Sequence, residues 1–124
     1  VNVLDENIPD SQRQLLRSWG IRVHQIGDEV GYQGIKDEDI IPFLHKSRTV
    51  TFFTRDLGFY RRNLCHANYC LAVGQYEVAS FTRRFLRHSE FNTKTKRMGR
   101  VVRITHMQLQ IWRINAEKET ALKW

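Results

Sequence analysis

Short apolar segments alternate with stretches of helical spacing along most of this chain, and that order leads to a parallel sheet with helical crossovers. Val1–Leu4 is an apolar run ending at Asp5. Pro9 then suits a helix start, Leu15, Leu16 and Trp19 recur at helical spacing, and Gly20 stands where a terminating glycine belongs. Ile21–Ile26 alternates as a second strand. Asp37, Glu38 and Asp39 precede Ile40, Ile41, Phe43 and Leu44, as acids at the positive end of a helix dipole do, and Pro42 falls in the first turns. Thr49–Thr54 is β-branched and aromatic throughout, Leu57–Leu64 suits a short helix, and Tyr69–Val73 reads as a buried strand. Glu77–His88 is amphipathic, with Val78, Phe81 and Phe85 on its apolar face. Asn92–Arg100 reads as a basic loop, Val101–Ile114 as a strand, and the tail from Asn115 as a short or frayed helix. The expected fold is α/β: a three-layer α/β/α sandwich with a mainly parallel sheet and an antiparallel edge.

Length and charge narrow the class. With 124 residues the chain fits a single domain over 1–124 that needs no disulfide or structural metal to fold. No apolar run approaches the roughly 20 residues that span a bilayer. No charged segment followed by an apolar one opens the sequence, so a cytoplasmic location is expected. Cys65 and Cys70 read as small core residues. Residues 1–60 hold nine acids and seven bases, residues 61–124 four acids and 13 bases. A basic C-terminal third, about 77–114, suits a polyanionic partner.

Ligands of open α/β sheets collect beyond the carboxyl ends of the strands. Asp5 and Asp56 follow the first and third strands, and Asp37 and Asp39 open a helix between them. If the topology brings that helix start round to the same edge, the carboxylates form a site for Mg²⁺ or Mn²⁺, beside a basic surface suited to phosphodiesters. Helix capping is the competing account: Asp37 as a cap, Glu38 and Asp39 as dipole partners, Asp5 capping the helix near Pro9, and Asp56 opening the next. The five histidines share no ligand spacing, and no nucleophile–base arrangement supports covalent catalysis.

Val-Leu-Asp5-Glu6-Asn7-Ile-Pro, then Asp37-Glu38-Asp39-Ile40, then Thr54-Arg55-Asp56-Leu-Gly-Phe59 resembles the small PIN-like predicted nucleases of toxin–antitoxin modules, across roughly residues 3–75. The first helix, with its Leu-Leu-Arg-Ser-Trp-Gly ending, belongs to the likeness. The resemblance implies a PIN-like α/β/α fold whose carboxylates bind Mg²⁺ or Mn²⁺ and cleave RNA, as the toxin of a type II system with a cognate antitoxin protein and possible homodimers. It assigns catalysis to Asp5, Asp37 and Asp56, and metal binding to these with Asp39. Thr54 and Asn7 take supporting roles. One departure stands out: the family commonly places an acid two residues after the Thr-x-Asp aspartate, and here that position is Gly58, for which Glu6 is a possible substitute.

Arg61 and Arg62 follow Asp56 closely, and Arg83, Arg84, Arg87, Lys94, Lys96, Arg97 and Arg100 extend an expected RNA track. Tyr32 is a candidate for stacking on a base, or a partly buried tyrosine. The alternative function is a catalytically weakened PIN-like module that binds nucleic acid or a protein partner.

Overall fold

The computed structural model describes residues 1–28 and 33–124, with the side chain of Asp37 outside the description. Tyr32 also lies outside the described residues. Seven strands make one sheet: β1 (Asn2–Leu4), β2 (His24–Gln25), β3 (Val50–Thr54), β4 (Tyr69–Val73), β5 (Arg100–Ile104), β6 (Gln108–Arg113) and β7 (Thr120–Lys123). Their order is β2-β1-β3-β4-β5-β6-β7. The first five run parallel, and β6 and β7 add antiparallel pairings. The helices are α1 (Asp10–Ser18), α2 (Asp37–Ser47), α3 (Val78–Arg87) and the single turn α4 (Lys94–Arg97).

Strand alternation separates two cores. Leu4, Phe53, Cys70, Ala72 and Val102 pack with Leu16 of α1 and with Phe81 and Phe85 of α3. Val3, Val50, Phe52, Leu71, Val73 and Val101 pack with Ile40 and Leu44 of α2 and with Phe59. Residues of opposite parity in β3 and β4 thus serve opposite faces, which is why both strands are buried at every position. Among the described residues, no helix is long and apolar enough to cross a membrane.

The C-terminal third departs from expectation. The strand expected over 101–114 is a hairpin. The chain turns at Thr105, whose hydroxyl donates to Gln108 O at 2.9 Å and whose N–H bonds the same carbonyl. Met107 stands 81% exposed in that turn. The tail is strand β7 rather than helix, because Thr120–Lys123 finds an open edge on β6. The basic loop contains a helical turn, capped by Thr93, whose hydroxyl accepts from Lys96 N. Leu57–Leu64 divides into two 3₁₀ turns, Leu57–Phe59 and Arg62–Leu64. The second strand shortens to His24–Gln25, although Val23 and Gln25 keep the buried parity.

Candidate functional site

Asp5 and Thr54 meet because of strand register. Leu4 pairs with Phe53, so the next residue of each strand falls side by side at the carboxyl edge, and Asp5 N donates to Phe53 O at 2.8 Å. The Thr54 hydroxyl donates to Asp5 Oδ2 at 2.6 Å and accepts from Asp56 N at 3.0 Å. Glu6 N donates to Asp5 Oδ1 at 2.7 Å, and Gly58 N to Asp56 Oδ1 at 2.8 Å. One threonine therefore fixes a carboxylate through its hydroxyl hydrogen and the backbone of the next acid through its oxygen.

Electrostatics at this edge are unfavourable to a bare carboxylate. Asp5 is only 6% exposed. Burial pushes its pKa above the ordinary aspartate value, against the bonds from Thr54 and Glu6 N, and the Asp56 and Glu6 carboxylates raise it further. Among the described residues, no cation figures among these influences. Where a buried acid faces other acids, either a proton or a bound cation relieves the repulsion.

The topology brings α2 to this edge. Leaving β2 at its carboxyl end, the chain enters α2 and returns to the start of β3, so the first turn of α2 lies beside the strand ends. A cleft of about 590 Å³ opens there, lined by Glu38, Ile41 and Pro42 of α2 and by Asp56, Gly58 and Arg61. Glu38, read from sequence only as a dipole partner, thus shares a cleft with Asp56. Its signal was the i, i+3, i+4 spacing of Glu38, Ile41 and Pro42, which marks one helix stripe. Asp37 opens α2. Asp39 is exposed, as is Asn7 in the turn after β1. Glu6 serves elsewhere: both its oxygens accept from Gly34 N at 3.1 Å, fixing the approach to α2.

Oxygen donors of this kind suit a hard divalent ion, and Mg²⁺ is commonly held by one or two carboxylates with water and substrate phosphate completing its shell. Asp5 and Asp56 are carboxylates of that donor type at this edge. Among the described residues, no group of three or more His, Cys, Asp or Glu is placed to hold a metal.

The expected RNA track divides. Arg61 lines the Asp56 cleft. Arg62 and Arg100 lie toward the amino edge, where both influence the Cys65 thiol. Arg83, Arg84 and Arg87 belong to α3, on the opposite face of the sheet. The first two stack over Trp19 at 3.8 Å and Trp124 at 4.4 Å, and all three line a separate cleft of about 420 Å³. Lys94 and Lys96 are exposed on α4, with Lys96 Nζ bonding Ser89 O and Asn92 Oδ1. Arg97 is a correction: it is 7% exposed, its Nε donates to Thr51 Oγ1 at 2.9 Å and its Nη1 to Phe91 O at 2.8 Å. The α4 turn rotates it inward, so it is a core strut and not a surface contact.

Compared with protein-family models, curated proteins and solved structures, the chain has no match in any of the three.

Proposed function

We propose that this chain is a metal-dependent endoribonuclease with a PIN-like three-layer α/β/α fold. The observation that carries the reading is Asp5: a buried carboxylate held by Thr54 and Glu6 N, under the charge of Asp56 and with no cation acting on it among the described residues. Such an arrangement is a liability to folding unless a proton or a cation relieves it, and α/β folds place ligands at this edge. Asp5 and Asp56 would hold the ion, with Asp37 and Asp39 contributed by the start of α2. What bound Mg²⁺ or Mn²⁺ supplies is a water of lowered pKa and positive charge beside the scissile phosphate.

The remaining work falls to the chain itself. Thr54 keeps the Asp5 carboxylate in one orientation through its 2.6 Å bond. Gly58 N does the same for Asp56. Arg61, in the cleft with Asp56, draws the phosphate backbone toward the acids. The role of toxin with a cognate antitoxin partner follows from the motif resemblance alone.

A second reading, a PIN-like binding module with a weakened site, has Gly58 in its favour: it occupies the place where the resemblance expects another carboxylate. One experiment separates the two. A mixed pool of structured and single-stranded RNAs is incubated with Mn²⁺, with Mg²⁺ and with EDTA, using wild type and Asp5→Asn. The nuclease reading expects cleavage that needs the ion and is lost in Asp5→Asn with RNA affinity retained. RNA binding without cleavage under any metal establishes the binding module instead.

A further inference from the structure

Three guanidiniums gather at the amino edge of the sheet, opposite the acids. Arg100 opens β5, Arg113 closes β6, and the register sets the two directly across from each other. Like charges so placed repel, and natural ladders avoid them. The repulsion registers in Arg100, whose pKa is lowered first by burial and then by the Arg113 charge. Arg62 joins them from the second 3₁₀ turn: with Asn63, Arg113 and Asn115 it lines a cleft of about 510 Å³ that no acidic side chain among the described residues lines.

The hydrogen bonds of this cluster end on neutral groups. Arg100 Nη1 donates to Met98 O at 3.2 Å, Arg113 Nη1 to Thr120 Oγ1, and the Arg62 guanidinium lies 5.7 Å over the Trp112 ring. Among the described residues the salt bridges are those of Arg13 with Asp10 and Asp28. Arg62 and Arg113 thus line the cleft with two amide side chains, Arg100 stands across the ladder from Arg113, and no carboxylate among the described residues lines the cleft. This is a donor set for phosphate oxygens.

The segment from 57 to 64 joins this cleft to the acidic one. Arg61 and Leu64 line the acidic cleft, Arg62 and Asn63 the basic one. We propose that an RNA strand held at the Asp56 cleft continues along this segment past Arg61 and places a downstream or upstream phosphate among Arg62, Arg100 and Arg113. The inference rests on the ribonuclease reading and adds Arg113, Asn63 and Asn115 to its contacts. β3 has five residues and so spans about 17 Å, which sets the guanidiniums several nucleotides from the scissile phosphate.

The test measures affinity for a fluorescent single-stranded RNA in EDTA, with every variant built on Asp5→Asn so that no cleavage intervenes. Arg62→Gln with Arg113→Gln is expected to weaken binding at least tenfold and to reduce the slope of log affinity against log salt by about 1.4, two contacts at about 0.7 each. Arg22→Gln with Lys123→Gln removes the same charge from exposed positions elsewhere and is expected to change affinity less than twofold. Should the double variant prove misfolded by circular dichroism, Arg62→Gln alone, at an exposed position, is expected to weaken binding about threefold. Unchanged affinity, equal losses in both pairs, or a larger loss from Arg84→Gln with Arg87→Gln overturns the path. Polyglutamate competing as well as RNA at equal charge overturns nucleic acid as the occupant. The nuclease reading fails separately, in the wild-type cleavage assay: cleavage with unaltered binding in the double variant removes only the path, whereas binding lost without any wild-type cleavage removes only the nuclease.

Discussion

Two buried charges, Arg97 of α4 and Asp5 after β1, are bonded to threonines three residues apart on β3, and they are treated in opposite ways. Arg97 reaches Thr51, and its second bond goes to the Phe91 carbonyl, a dipole that welcomes a cation. Asp5 reaches Thr54, and its neighbours in charge are Asp56 and Glu6. Arg97 is solvated by the protein, as a structural charge must be. Asp5 has its oxygens oriented but its charge unbalanced. Burial alone therefore does not distinguish strut from site; the sign of the surrounding field does.

The largest expected effect breaks the structural member of the pair. Arg97→Ala removes two hydrogen bonds, strands Phe91 O and leaves a void beneath the sheet. Urea denaturation is expected to show a loss of about 3 kcal/mol, with a fall in Tm on the order of 10 °C. Asp5→Asn keeps the shape and removes the repulsion, so its stability at neutral pH is expected to lie within about 1 kcal/mol of wild type. A comparable loss from both substitutions would erase the distinction between strut and site.

Cations sharpen the contrast next. An ion that binds only the folded state raises stability by about 2.7 kcal/mol at a hundredfold excess over its Kd. Scanning calorimetry in Mn²⁺ against EDTA is expected to raise the Tm of wild type and of Arg97→Met, and to leave Asp5→Asn unmoved. Acid titration reads the same imbalance without a metal. The pKa of Asp5 is raised in the fold, so the folded protein binds more protons than the unfolded chain between the ordinary aspartate value and the raised one. Stability contributed at this residue is therefore present below that window and lost as pH rises through it. In EDTA, the advantage of Asp5→Asn over wild type is expected to be greatest at neutral pH and to vanish as pH falls toward the ordinary aspartate range. An advantage that grows on acidification would show Asp5 to be stabilised as an anion.

The same pair shows what could be read from residues alone. Asp5 was legible because an apolar run ended in an acid, and strand ends in parallel sheets are where ligands gather. Thr54 was legible from its place in the β-branched run 49–54. Arg97 was not: Lys94-Thr-Lys-Arg97 reads as a solvated surface, and only the turn begun by Thr93 rotates its last residue inward. Nor was the hairpin. Thr105–Met107 contains no glycine, proline or asparagine, and the turn is made by the Thr105 hydroxyl; its one trace in the residues is the shift of apolar parity from Val102 and Ile104 to Leu109 and Ile111. Strand β7 carries no run of β-branched residues and exists because β6 offers it an edge. Glu38 escaped notice because three consecutive acids at a helix start satisfy a dipole equally well, and only the fold shows which of them lines the cleft.

The smallest expected effect concerns how Asp56 is aimed. A Cβ on Gly58 would come to 3.0 Å from Asp56 Oδ1, closer than a side chain tolerates unless the carboxylate shifts. Gly58 N already donates to that same oxygen, so the glycine lets the backbone hold the acid at close range. Gly58→Ala keeps this donor but displaces its acceptor by a few tenths of an ångström. Global stability is expected to change by about 0.5 kcal/mol or less, as at other exposed positions, while the Tm gain in Mn²⁺ shrinks measurably because Asp56 no longer faces the ion as it does in wild type. The Arg97 side of the comparison should not respond: Arg97→Met and Gly58→Ala are expected to be additive in Tm, since they act on opposite faces of the sheet. An unchanged Mn²⁺ response in Gly58→Ala would mean that Asp56 stands outside the ion's reach, and would leave Asp5 with the start of α2 as the only carboxylates able to hold it.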